Sequence, residues 1–77
     1  AFTHYSANTS TEPTAHLREH RCLIIRGKVL LKIQHEHYAI SAGEWFHIPA
    51  NTVHQLEFSQ ATSLIEFWLD EPASLAA

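Results

Sequence analysis

From residue 22 onward, short β-branched and apolar runs alternate with turn-forming residues. Cys22-Leu23-Ile24-Ile25 leads into Arg26-Gly27-Lys28, and Val29-Leu30-Leu31-Lys32-Ile33 follows, a pattern that predicts a hairpin about the glycine. Gln34-His35-Glu36 supplies the next reversal, and His37-Tyr38-Ala39-Ile40 runs into a second turn, Ser41-Ala42-Gly43-Glu44, before Trp45-Phe46-His47-Ile48. After Pro49-Ala50-Asn51-Thr52 the chain alternates polar and apolar through Val53-His54-Gln55-Leu56-Glu57-Phe58, as a half-buried strand does. Residues 59–63 turn into Leu64-Ile65-Glu66-Phe67-Trp68-Leu69, the last predicted strand. Short strands at regular spacing with turn signals between them predict an all-β sandwich or barrel.

Upstream, residues 6–14 are small and polar and read as a loop after a short N-terminal strand. Residues 70–77 read as a frayed end or a single helical turn. One segment also admits a helix, with Pro13 at its first position, Gly27 past its end and His16 and His20 four apart. Its apolar residues form a block at 22–25 instead of a stripe, and adjacent isoleucines favour a strand.

A chain of 77 residues suffices for one domain, since one this short buries only about 60% of its unfolded surface. The net charge is −3 and the five Lys and Arg are scattered, so neither nucleic acid nor a membrane is expected as a partner. Cys22 is the single cysteine, which leaves no intramolecular disulfide and makes a cytoplasmic location the expectation. Neither a secretion signal nor a membrane-length apolar run stands out. Seven histidines outnumber the five Lys and Arg, and imidazole is the commonest metal ligand.

The segment from Gly43 to His54 reads glycine, five residues, Pro49, one residue, Asn51, two residues, histidine. It resembles the second signature of the cupin family, with Asn51 where that signature has glycine, a mild departure because asparagine tolerates the left-handed conformation. Phe58 stands where the family often has asparagine. The first cupin signature, His-x-His, three or four residues, Glu, six residues, Gly, is matched by Thr14-Ala15-His16, His20 and Gly27. Thr14 replaces the first histidine, His20 replaces the glutamate, and Asn8 stands where the signature often begins with glycine. The resemblance covers residues 14–69 and implies a single small cupin-type β-barrel, a double-stranded antiparallel jelly roll. It also implies a divalent transition metal, Zn, Fe, Ni, Mn or Cu, held by His16, His20 and His54.

Strand periodicity is compatible with that set. His16, Arg18, His20, Cys22 and Ile24 would share one face and His54, Leu56 and Phe58 another, and a closed barrel would bring the two together. Three neutral imidazoles leave the site at +2 with an open coordination position, the pattern of a catalytic metal; the alternative is that the histidines merely line a loop and cap a turn. Three further residues are candidates for catalysis. Glu66, in an otherwise apolar strand, would either act as a general base or face solvent. His47 would either support the metal loop or lie on the surface. Arg18 would anchor a substrate carboxylate or be a solvated loop residue. His35 and His37 are read as a solvated turn, and Cys22 as a small buried hydrophobe.

Functionally, the resemblance implies a metal-dependent enzyme of dioxygenase, isomerase or lyase type acting on a small polar or carboxylated molecule. A non-catalytic small-molecule or metal sensor, and a purely structural barrel, are the alternatives. The outward parity of Leu23, Ile25 and Leu30 is also apolar and predicts a homodimer.

Overall fold

The computed structural model describes residues 1–69, so the tail expected at 70–77 lies outside the described residues. These form eight strands: β1 (Phe2–Tyr5), β2 (Thr9–Ser10), β3 (Glu19–Arg26), β4 (Lys28–Ile33), β5 (Glu36–Ser41), β6 (Trp45–Ile48), β7 (His54–Phe58) and β8 (Thr62–Leu69). No helix occurs among the described residues, and hence none long and apolar enough to cross a membrane. The all-β expectation holds, and the helical alternative for the segment before Gly27 does not.

The strands make two four-stranded antiparallel sheets in the orders β1-β8-β3-β6 and β2-β7-β4-β5. They face each other as two layers and are not closed into one barrel. Burial alternates as the pleat demands. His20, Cys22 and Ile24 of β3, Phe46 and Ile48 of β6 and Leu64 of β8 point inward from the first sheet. Val29 and Leu31 of β4 and His54, Leu56 and Phe58 of β7 meet them from the second.

The hairpin predicted about Gly27 does not form. β3 and β4 are consecutive in the chain but belong to different sheets, so Gly27 is a corner between layers. Its φ is 94°, and a Cβ there would sit 2.4 Å from the Ala61 carbonyl oxygen and 2.5 Å from Thr62 Oγ1. Buried Thr62 secures the corner: its hydroxyl accepts from the Lys28 amide at 3.2 Å and lies 2.9 and 3.1 Å from the carbonyls of Gln60 and Lys28, one of which takes its proton. By contrast, the reversal between β4 and β5 is a tight hairpin, with both Gln34 (φ 50°) and His35 (φ 65°) in the left-handed region.

Part of the loop predicted at 6–14 is ordered by pairing. β2 joins β7, and Thr14 exchanges both backbone hydrogen bonds with His54 at 2.9 Å. The left-handed conformation anticipated for Asn51 is present, at φ 60°.

Candidate metal centre

Three separate stretches of chain bring imidazoles together. β3 supplies His20 and β7 supplies His54, buried to 4% and 5% exposure from opposite sheets. His16 precedes β3 in irregular backbone, so it does not share that strand's alternation as the sequence suggested. It is held instead by the Thr14 bridge to His54 and by the Asn51 amide, which donates to the His16 carbonyl at 2.6 Å. Its ring centroid lies 5.2 Å from that of His54 and 6.0 Å from that of His20. Two imidazoles on one tetrahedral ion, with nitrogens about 2.1 Å from the metal, have centroids roughly 5 Å apart. The His16 pairing with His54 meets that spacing, and the pairing with His20 is wider.

Tautomers follow from the hydrogen bonds. The Thr52 carbonyl lies 2.9 Å from Nδ1 of His54 and can only accept, so Nδ1 carries the proton and Nε2 presents a lone pair. Nε2 of His20 lies 3.0 Å from Glu66 Oε1 and 3.2 Å from Cys22 Sγ. A carboxylate is the stronger acceptor, which assigns the proton to Nε2 and leaves Nδ1 bare. That Nδ1 is shielded from solvent and has no hydrogen-bond partner. A buried imidazole whose second nitrogen is anchored by a carboxylate or carbonyl is in the form that ligates a metal. His20 and His54 thus carry their protons in the form a metal ion would need, while the ring spacing suits a shared ion for His16 and His54.

Glu66 faces the interior, where Cys22 is its register partner across β3, and its other oxygen accepts from the Thr3 hydroxyl at 2.7 Å. A solvent-facing Glu66 is thus excluded: the apolar residue that alternation would put in this inward row is replaced by a carboxylate that Thr3 and His20 satisfy. Among the described residues, the group whose ligand atoms all lie within 4.8 Å of one another is His20, Cys22 and Glu66. Reading Cys22 as a small hydrophobe recognised its burial and missed its neighbours, which only the cross-strand register supplies.

Aromatic rings wall the site. Trp68 lies flat on His20 at 3.9 Å and edge-on to His16 at 4.8 Å, and Phe46 packs edge-on to His20 at 6.5 Å. Burial pushes the His20 pKa below its ordinary value, against the opposing pull of Glu66. Burial, reinforced by Glu66, pushes the Cys22 thiol up to about 12.

Two other candidates stand outside the imidazole group. His47 sits on the outer face of β6, beside Arg21 in register, and its Nε2 pairs with Glu19. Period-two alternation from buried Phe46 and Ile48 forces it outward, so it does not support the metal loop. Arg18 is exposed before β3, with Nη2 3.5 Å from the Trp68 carbonyl. It is near the site's edge and outside the strand alternation first expected of it. His35 and His37 are exposed, as expected of the hairpin tip. A cleft of about 400 Å³ lined by Ser10, Leu30, Glu57 and Phe58 lies away from the imidazoles, and one of about 440 Å³ is lined by Gln34, His35 and the loop at 51–53 that precedes His54.

The sequence profile of the family described as Cupin domain matches residues 1–69. No curated protein matches the chain in a sequence search. Among solved structures, the chain is similar to a cupin superfamily protein from Desulfitobacterium hafniense, with a TM-score of 0.85 at 11% identity over 91% of this chain and 64% of that one. An RmlC-like cupin from Shewanella frigidimarina gives 0.83 at 14% identity over 96% and 67%. A Cupin 2 conserved barrel domain protein from Salinispora arenicola gives 0.79 at 15% identity over 90% and 60%. The chain thus spans roughly two thirds or less of the length of these structures, and at such identities the likeness establishes the fold alone. The profile match over 69 residues, together with two facing antiparallel sheets, identifies the chain as a member of the cupin domain family.

Proposed function

We propose that this cupin binds a divalent transition metal through His16, His20 and His54 and acts with it on a small polar or carboxylated molecule. The observation that carries the reading is the buried, unpartnered Nδ1 of His20. An unsatisfied buried polar atom costs about 1–3 kcal/mol, and a metal ion is the partner that an otherwise anchored imidazole lone pair fits best. When bound, such an ion supplies Lewis acidity toward a substrate oxygen.

The chain's own residues set the conditions for it. Glu66, fixed by Thr3, holds the proton on Nε2 of His20, and Thr52 holds the one on Nδ1 of His54. Glu66 is thereby a positioning residue, neither the general base nor the solvent-facing carboxylate that the sequence allowed. Arg18, exposed beside the site, is the group able to meet a carboxylate, and exposed Leu17 and Val53 add an apolar rim. A non-catalytic sensor is the second reading, favoured by Trp68, which lies flat on one imidazole and edge-on to another and narrows their exposure.

Elemental analysis of purified protein and of a His54→Ala variant tests metal binding. After loading with manganese(II), which disfavours thiolate ligands, stoichiometric metal in the wild type and loss of most of it in the variant are expected, since two remaining donors chelate weakly. Full retention in the variant would refute the ligand set. A turnover screen under air and under nitrogen then separates enzyme from sensor.

A further inference from the structure

We propose that His20, Cys22 and Glu66 form a second cation site beneath the imidazole cluster, one that takes a thiophilic divalent ion through a Cys22 thiolate. The inference goes beyond the three-histidine reading, because two of these ligands are outside it.

Three donor types converge here from two adjacent strands. Nε2 of His20 is 3.0 Å from Glu66 Oε1 and 3.2 Å from Cys22 Sγ, and no two of the ligand atoms are more than 4.8 Å apart. A triangle with those sides has a circumradius of roughly 2.4 Å or less, close to zinc distances of about 2.0–2.1 Å to nitrogen and 2.3 Å to sulfur. An ion therefore fits between the donors with small movements. The Thr3 hydroxyl on Oε2 leaves Oε1 turned toward the other two ligands.

Charge favours this set in a dry interior. A divalent cation with one thiolate, one carboxylate and one neutral imidazole is neutral, whereas three imidazoles leave it at +2, and an uncompensated charge is costly to bury. Cys22 is fully buried. Binding replaces the thiol proton, which leaves to solvent, so one proton is released per ion, and the remaining imidazole proton moves to Nδ1 of His20. That nitrogen has no acceptor, which opposes the site and reserves it for ions with a strong preference for sulfur. A neutral imidazole offers one lone pair, so His20 serves either the upper cluster or the lower site, and the two modes exclude each other.

Cobalt(II) titrated into the metal-free, weakly buffered chain at pH 8 distinguishes them. The lower site should give a near-ultraviolet sulfur-to-cobalt charge-transfer band and release of about one proton per ion. Cys22→Ser should lose both signals, and His54→Ala should keep both. Cobalt bound with neither band nor proton release overturns the lower site and leaves the three-histidine reading standing; loss of the band in His54→Ala also overturns it. If Cys22→Ser does not fold, X-ray absorption of the zinc-loaded wild type decides. One sulfur at about 2.3 Å is expected, and a shell of nitrogen and oxygen alone refutes it.

Discussion

His20 concentrates the chemistry of the molecule in one side chain, stacked on Trp68, bonded to Glu66 and touching Cys22. Because burial lowers its pKa, the unfolded chain binds a proton at a higher pH than the folded one does. The metal-free fold should therefore be insensitive to this group above about pH 6.5 and should lose stability as pH falls below it. Urea midpoints between pH 8 and 5 measure the slope, and His20→Gln should flatten it; an equal slope in the variant would assign the effect to other groups. Glu66→Gln should lower metal affinity by about 10–100-fold, the usual effect of removing the partner of a ligating histidine. Isothermal titration reads this directly, and an unchanged affinity would show that Glu66 does not position His20. The double change of His35 and His37 to alanine should leave metal content unaltered.

At the scale of elements, the corner between β3 and β4 decides where the site can be. If the two strands were a hairpin, His20 and the β4 residues would belong to one sheet and His54 would not face His20. Gly27→Ala combines a Cβ contact of 2.4 Å to a backbone oxygen with a φ of 94°, and should destabilise the fold by at least about 2 kcal/mol. Thr62→Val removes the hydroxyl that ties the Lys28 backbone across the corner, at about 1–3 kcal/mol. Denaturant melts check both, and a neutral Gly27→Ala would mean that the corner relaxes freely.

For the whole molecule, the outer face of the first sheet is the notable surface. Register aligns Phe2, Ile65, Leu23 and Trp45 in one row across β1, β8, β3 and β6, with Phe67 against Trp45 at 5.7 Å and Ile25 alongside. Leu30, grouped with Leu23 and Ile25 on sequence parity, lies instead on the second sheet. Phe2, Trp45 and Phe67 are 66%, 55% and 43% exposed and Ile25 46%. At about 200 Å² per aromatic residue, the row exposes on the order of 400 Å² of apolar surface, about half of what one partner brings to a standard interface. Glu19, Arg21 and His47 give the same face a mixed-charge rim suited to an identical partner across a two-fold axis. We propose that homodimer. Light scattering at micromolar concentration should give twice the chain mass, and Trp45→Glu should give the monomer; a monomeric wild type would refute it.

Sequence alone determined the all-β class, because turn residues recur between short β-branched runs whatever the partners of those runs are. It also determined the family resemblance and the left-handed turn at Asn51, since both depend on local spacing and local backbone conformation. Which strands pair was left to tertiary structure: the Gly27 segment carries the same local signal for a hairpin and for a corner, and only the close approach of Ala61 and Thr62 separates them. The inward turn of Glu66 was likewise hidden, because a carboxylate in an apolar strand is tolerated inside only when distant residues satisfy it. Thr3 and His20, 63 and 46 positions away, do so, and only pairing across the sheet brings this carboxylate against the His20 imidazole and near the Cys22 sulfur.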